Sequence, residues 1–156
     1  MATGRRRGLI IVGVDGSAAS IEALRQATRL AVVLGTHVQA WACWDFPAGF
    51  EAFDGMGTEG FTHEAAESLQ HALAEAFGPE VPRNVTTRLV RGAPRPSLID
   101  ASKNASLLVV GRRGRGGFRE LLLGSVTTAC VAHAHCPVLV VPPLDPGRNP
   151  LPPPRT

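Results

Sequence analysis

A chain of 156 residues, 44% hydrophobic and 19% charged, is long enough to bury one core without disulfide or metal staples. Its net charge of +3 belongs to its ends: residues 8–141 hold 11 basic against 12 acidic groups, and without Arg112, Arg113, Arg115 and Arg119 the balance is 7 against 12. That distribution excludes a broad nucleic-acid face and points to a local anion site instead.

The opening Met-Ala-Thr-Gly-Arg-Arg-Arg has no apolar stretch after its charges, and no apolar run approaches the ~20 residues of a membrane span. The expectation is a cytoplasmic protein without a membrane partner, with residues 1–7 as a basic disordered tail. The run "LIIVGV" (9–14) is apolar and β-branched throughout, the mark of a strand covered on both faces. A helix follows, with Ser17 as N-cap, Ile21, Leu24, Ala27, Ala31 and Leu34 on one stripe, and Gly35 as C-terminal cap. The strand "HVQAWACW" (37–44) leads into residues 45–60, a connection longer than architecture alone requires and therefore expected to act as a lid. Phe46, Phe50 and Phe53 within it read either as a cover for a ligand or as a small satellite core.

Beyond it the pattern predicts a helix over 62–77, a strand over 84–90, a helix from Pro96 to 103, a strand over 106–111, a helix over 125–134 and a strand over 137–141. Five strands alternating with four helices predict an α/β sandwich, an open five-stranded parallel sheet with helices on both faces. The Pro-rich stretch 143–156 reads as a second disordered tail, which leaves 8–142 as the folded domain. Cys43, Cys130 and Cys136 lack CxxC spacing and read as reduced buried thiols, while His133-Ala-His135-Cys136 reads as a helix end before the turn at Pro137.

In open parallel sheets, ligands bind beyond the carboxyl ends of strands where the strand order reverses. Two strands here end in suitable chemistry. The first runs into Gly13-Val14-Asp15-Gly16-Ser17, and the fourth into "GRRGRGGFRELLLGSV", four glycines and four arginines within residues 111–119 and then Gly124-Ser125. Glycines admit an anion to backbone N–H groups, and Ser125 stands where a helix would offer a hydroxyl and its positive dipole end. There is no GxxxxGK[ST], the only lysine is Lys103, and "VGVDGS" does not satisfy GxGxxG, so neither a Walker loop nor a dinucleotide fingerprint is present.

What the chain does carry is Gly-x2-Gly-x9-Gly-Ser, at Gly111, Gly114, Gly124 and Ser125. With "IIVGVDGSAAS" and "LVRGAPRPSLIDAS", this resembles the ATP-binding branch of the universal stress protein family across residues 8–142. The resemblance implies the sheet order 3-2-1-4-5, which sets strands one and four side by side. It further implies Gly13 and Asp15 on the adenosine side, Cys43 touching adenine mainly through its backbone, and Gly111 and Arg112 beside the ribose. Gly114, Gly116, Gly117, Gly124, Ser125 and Val126 would surround the triphosphate of ATP, whose oxygens an Mg²⁺ or Mn²⁺ ion would bridge. Arg112 stands where many relatives carry a small residue, which makes this loop more basic. The resemblance also implies a homodimer through the last strand, 137–141.

Read from the residues alone, Asp15-Gly16-Ser17 also serves as a turn and helix cap, Cys43 as a core thiol, and Arg113 and Arg119 as a solvated loop. The functional expectation is a nucleotide-dependent stress or signalling regulator that binds ATP and an unidentified protein partner. The alternatives are a slow ATP hydrolase or nucleotidyl-transferring enzyme, and a scaffold that dimerises without ligand. No His or Glu accompanies the glycine motif as an evident general base, Glu120 lying beside Arg119, so catalysis is expected to be absent or limited to slow ATP hydrolysis.

Overall fold

The computed structural model describes residues 8–45, 59–114, 122–145 and 147. Its centre is formed by β1 (Leu9–Gly13) and β4 (Leu107–Gly111), each buried through the middle and ending in glycine. Uninterrupted apolar strands need cover on both faces, and both of these take inner positions. With β2 (His37–Trp44), β3 (Val85–Arg91) and β5 (Val138–Val141) they form an all-parallel sheet in the order β3-β2-β1-β4-β5. This is the order that the resemblance implied.

Register divides the interior in two. Ile10, Ile11 and Val12 stand beside Leu107, Leu108 and Val109. Successive side chains alternate across the sheet, so Ile10, Val12 and Val109 pack with α1 (Ala18–Leu34) and α2 (Glu59–Phe77). Ile11, Leu108 and Val110 pack on the other face with Leu98 of α3 (Pro94–Ala101) and Cys130 of α4 (Ser125–His133).

The start of α1 is fixed by Ser17, whose hydroxyl accepts the Ser20 N–H at 3.2 Å. Its end is fixed by Gly35 at φ 64°, after which the Thr36 N–H returns to the Ala31 carbonyl at 2.9 Å. Ile21, Leu24, Ala27 and Ala31 are buried as the stripe requires, but Leu34 is 64% exposed. A helix of 17 residues runs about 25 Å, whereas the five residues of β1 run about 17 Å. The last helical turn therefore overhangs the strand, and Val32 and Val33 are exposed with Leu34.

A polar clamp that the apolar pattern did not announce joins α1 to α2. The buried Glu22 carboxylate accepts from Arg25 and Gln26, each at 3.0 Å, and Arg25 donates onward to the Glu75 carbonyl at 2.7 Å. α2 begins at Glu59, earlier than the periodicity placed it. α3 begins at Pro94, whose lack of an N–H costs nothing in a first helical turn, where that group would have no partner within the helix, and gives way after Ala101 to a 3-10 turn, Ser102–Asn104. The Ser102 hydroxyl accepts the His135 N–H at 2.8 Å, tying the chain after α4 to this turn.

Of the three free thiols only Cys130 is fully buried, and burial pushes its pKa up to about 11; Cys43 and Cys136 are half-buried rather than buried. Among the described residues no helix is long and apolar enough to cross a membrane. The expected lid within 46–58, with Phe46, Phe50 and Phe53, and the tails 1–7 and 148–156 lie outside the described residues.

Candidate functional site

Beyond Gly13 and Gly111, where strand order reverses, the chain leaves a cavity of about 720 Å³. Gly111 is what brings its walls together. A Cβ there would lie 2.7 Å from the Ala19 Cβ and 3.0 Å from the Ser20 nitrogen, so β4 reaches the first turn of α1 only as glycine. At Gly13 the corresponding space is taken by the tip of Leu98, 2.9 Å away.

After β1, the Val14 N–H bonds to the Trp41 carbonyl at 2.8 Å, and the chain turns through Gly16 at φ 80°. Asp15 Oδ1 accepts the Ser17 N–H at 2.9 Å, while its Oδ2 abuts the bare face of Gly114. The turn-and-cap reading of Asp15-Gly16-Ser17 and its place on the cavity wall thus hold together. After β4, the Arg112 N–H bonds to Val141 and the Arg112 carbonyl accepts the Gly124 N–H at 2.9 Å. Gly124 is the N-cap of α4 and has no side chain to cap it, so the helix opens toward the cavity at Ser125, which is exposed. Thr127, one turn in, donates its hydroxyl to the Gly111 carbonyl at 2.6 Å.

Gly13, Asp15, Cys43, Gly111, Gly114, Gly124, Ser125 and Val126 all line this one cavity, although they come from four parts of the chain. Arg112 is not among the lining residues; Arg113 is. Gly116 and Gly117 lie outside the described residues, as do Arg115 and Arg119.

The pairing of β1 with β2 ends at Gly13 and Trp41, while β2 continues beside β3 as far as Trp44. Because the Trp41 carbonyl faces β1, the Cys43 backbone faces the same way and runs past the end of that strand. Burial raises the Cys43 thiol pKa, and a hydrogen bond with Ser97 opposes the shift.

The sequence reading missed much of the apolar wall. Trp41 and Trp44, the chain's two tryptophans, both line the cavity. Arg88 lies over the Trp41 ring at 4.9 Å and Arg91 over Trp44 at 5.9 Å. Phe61, Glu64, Ala65 and Ser68 of α2 close the far side; their helical spacing was a usable signal once the start of α2 was known. Among the described lining residues, Asp15, Asp45 and Glu64 oppose Arg113 in charge, and the Asp15 carboxylate stands against Gly114. No group of three or more His, Cys, Asp or Glu side chains among the described residues is arranged to hold a metal ion.

The chain is 37% identical over 138 residues to a universal stress protein of Mycolicibacterium smegmatis; the match covers 85% of this chain and 47% of that one, so this chain spans about half the length of that relative. Its fold is similar to a universal stress protein solved in complex with cAMP, at TM-score 0.66 and 24% identity over 86% of this chain and 96% of the other. It is also similar to the universal stress protein from Archaeoglobus fulgidus solved in complex with dAMP, at TM-score 0.61 and 21% identity over 86% and 96%. A profile of the universal stress protein family matches residues 7–142, the whole sheet with all its helices, and by that match this chain belongs to the universal stress protein family.

Proposed function

We propose that this chain binds an adenine nucleotide, ATP in particular, and acts as a nucleotide-dependent stress or signalling regulator. The observation that carries the reading is the cavity at the ends of β1 and β4, where bare glycine backbone and the start of a helix face an aromatic wall. Two relatives of the same fold were solved with the adenine nucleotides cAMP and dAMP. In this reading the Cys43 backbone edge takes the base, Asp15 the ribose, and Gly114, Gly124, Ser125 and Val126 the phosphates. The donors at the phosphate end are backbone amides and a hydroxyl, so an Mg²⁺ or Mn²⁺ ion would be held by the phosphates themselves and would neutralise charge near Asp15.

Because both tryptophans line the cavity and the chain has no tyrosine, intrinsic fluorescence reports occupancy directly. Titration with ATP and Mg²⁺ is expected to saturate at micromolar concentration. Ligand at 100 times its dissociation constant should stabilise the fold by ~2.7 kcal/mol in a thermal melt. No fluorescence change, no thermal shift, and no nucleotide released from freshly denatured protein would overturn the reading.

A slow ATP hydrolase is the alternative, and one observation favours it: Glu64, remote from the glycine motif in sequence, lines the same cavity as Arg113 and is a carboxylate able to orient water. Phosphate release is nonetheless expected to stay below about one turnover per minute, far under the median of ~10 per second for enzymes. Many turnovers per minute, lost in Glu64→Gln, would move the protein into the enzyme class.

The homodimer through β5 belongs to the same proposal. The Leu108 N–H bonds to the Pro137 carbonyl, and the Arg112 N–H to Val141. The backbone groups of Val138 and Val140 therefore point to the open side of this edge strand. Val140→Pro removes one outward N–H without taking a bond from β4 and is expected to shift a dimer toward monomer. Light scattering that gives a monomer for the unmodified chain at micromolar concentration would end the dimer proposal.

A further inference from the structure

We infer that Thr127 is a positioning residue for the phosphate end of the cavity, acting through the Gly111 carbonyl rather than on the ligand. The inference rests on the nucleotide reading above. A threonine hydroxyl within a helix ordinarily turns back to a carbonyl one turn earlier, as Thr128 does toward Gly124 at 2.8 Å. Thr127 does not. It is 3% exposed and reaches 16 residues back along the chain to Gly111 at 2.6 Å. A hydroxyl has one proton, and this one is committed to a carbonyl, so Thr127 lines the cavity without donating to a ligand.

The anchor it holds is itself closely packed. Gly111 is wedged against Ala19 and the Ser20 backbone on its other side, leaving no room even for a methyl group. Thr127 thereby sets the start of α4 at a fixed height above the end of β4. The Gly124 N–H on the Arg112 carbonyl forms the second tie between the same two segments. Between these ties stand Ser125 and Val126, whose N–H groups belong to a first helical turn and have no partner within it. Their reach toward an anion depends on the brace, and the base end of the cavity does not.

The test separates those two ends. Thr127→Val keeps the shape and removes the hydroxyl; Thr127→Ser keeps the hydroxyl. Tryptophan fluorescence titrations with AMP and with adenosine are expected to show about a tenfold loss for AMP in Thr127→Val, as for one missing hydrogen bond. Adenosine should bind as it does to the unmodified chain, and Thr127→Ser should restore AMP binding. Unchanged AMP affinity in Thr127→Val, or an equal loss for AMP and adenosine, overturns the inference while the nucleotide reading stands. If Thr127→Val fails to fold by circular dichroism, the serine variant decides: a tenfold loss for AMP there overturns the brace. An unmodified chain that binds neither ligand overturns the nucleotide reading and this inference with it.

Discussion

Gly114→Asp is expected to lower ATP affinity at least about a hundredfold, equivalent to ~2.7 kcal/mol, with the far-ultraviolet circular dichroism spectrum unchanged. The size follows from two effects at one atom. Gly114 presents its bare face to Asp15 Oδ2, so any Cβ there displaces that carboxylate. An aspartate adds a second negative charge beside it, in the space between Asp15 and the start of α4 that the proposal gives to phosphate. The fold should survive because Gly114 and Asp15 are both exposed and the Asp15 side chain can rotate away. The rotation would release the Ser17 N–H, a local bond worth about 1 kcal/mol. Gly114→Ala separates the effects, carrying the steric part without the charge, and should lose much less affinity. Wild-type affinity in Gly114→Asp would remove the glycine loop from the site.

Gly111→Ala is expected to destabilise the fold by about 2–3 kcal/mol, the upper range for overfilling a packed core. Its backbone is not in the left-handed region, so alanine meets no torsional penalty there. Space alone is at issue. The added methyl would meet the Ala19 Cβ, the Ala19 carbonyl carbon at 2.9 Å and the Ser20 nitrogen. Two of these are backbone atoms of a capped helix and cannot swing aside. Gly13→Ala is the internal comparison, because its methyl would meet only side-chain tips, Leu98 Cδ1 at 2.9 Å and Val110 Cγ1 at 3.6 Å. Leu98 can change rotamer, so Gly13→Ala should cost under about 1 kcal/mol. Urea midpoints of the two variants measured together decide it, and equal midpoints would refute the wedge at Gly111.

The sheet was legible because its signals are local. "LIIVG" and "LLVVG" are apolar without interruption, the pattern of parallel strands covered on both faces. Ser17 and Gly35 are caps whose chemistry works over three or four residues, and both do what their types predict. The site was legible only as far as strand ends and glycine spacing reach. Which of two adjacent arginines lines the cavity depends on how β4 leaves the sheet: Arg112 is spent on backbone bonds to β5 and Gly124, and Arg113 comes to the wall. The α2 wall was invisible because α2 meets the cavity only through tertiary packing: of its lining residues only Phe61 lies before the predicted helix, and the spacing of Glu64, Ala65 and Ser68 sets them on one face without saying what that face meets. The burial of Glu22 has no signature in the apolar pattern: Arg25 and Gln26 are its neighbours on the helix, but the Glu75 carbonyl to which Arg25 donates onward lies 50 residues further along the chain than that arginine.

The sheet separates two cores that share no buried residue, one under α1 and α2 and the other under α3 and α4. Melting of one need not by itself expose the other, so the empty chain is joined chiefly through its strands. The cavity draws its walls from both sides: Val14 and Ala42 belong to the first core, Leu98, Val110 and Val126 to the second. A ligand seated there would act as a rivet through the sheet and make the two halves unfold as a single cooperative unit.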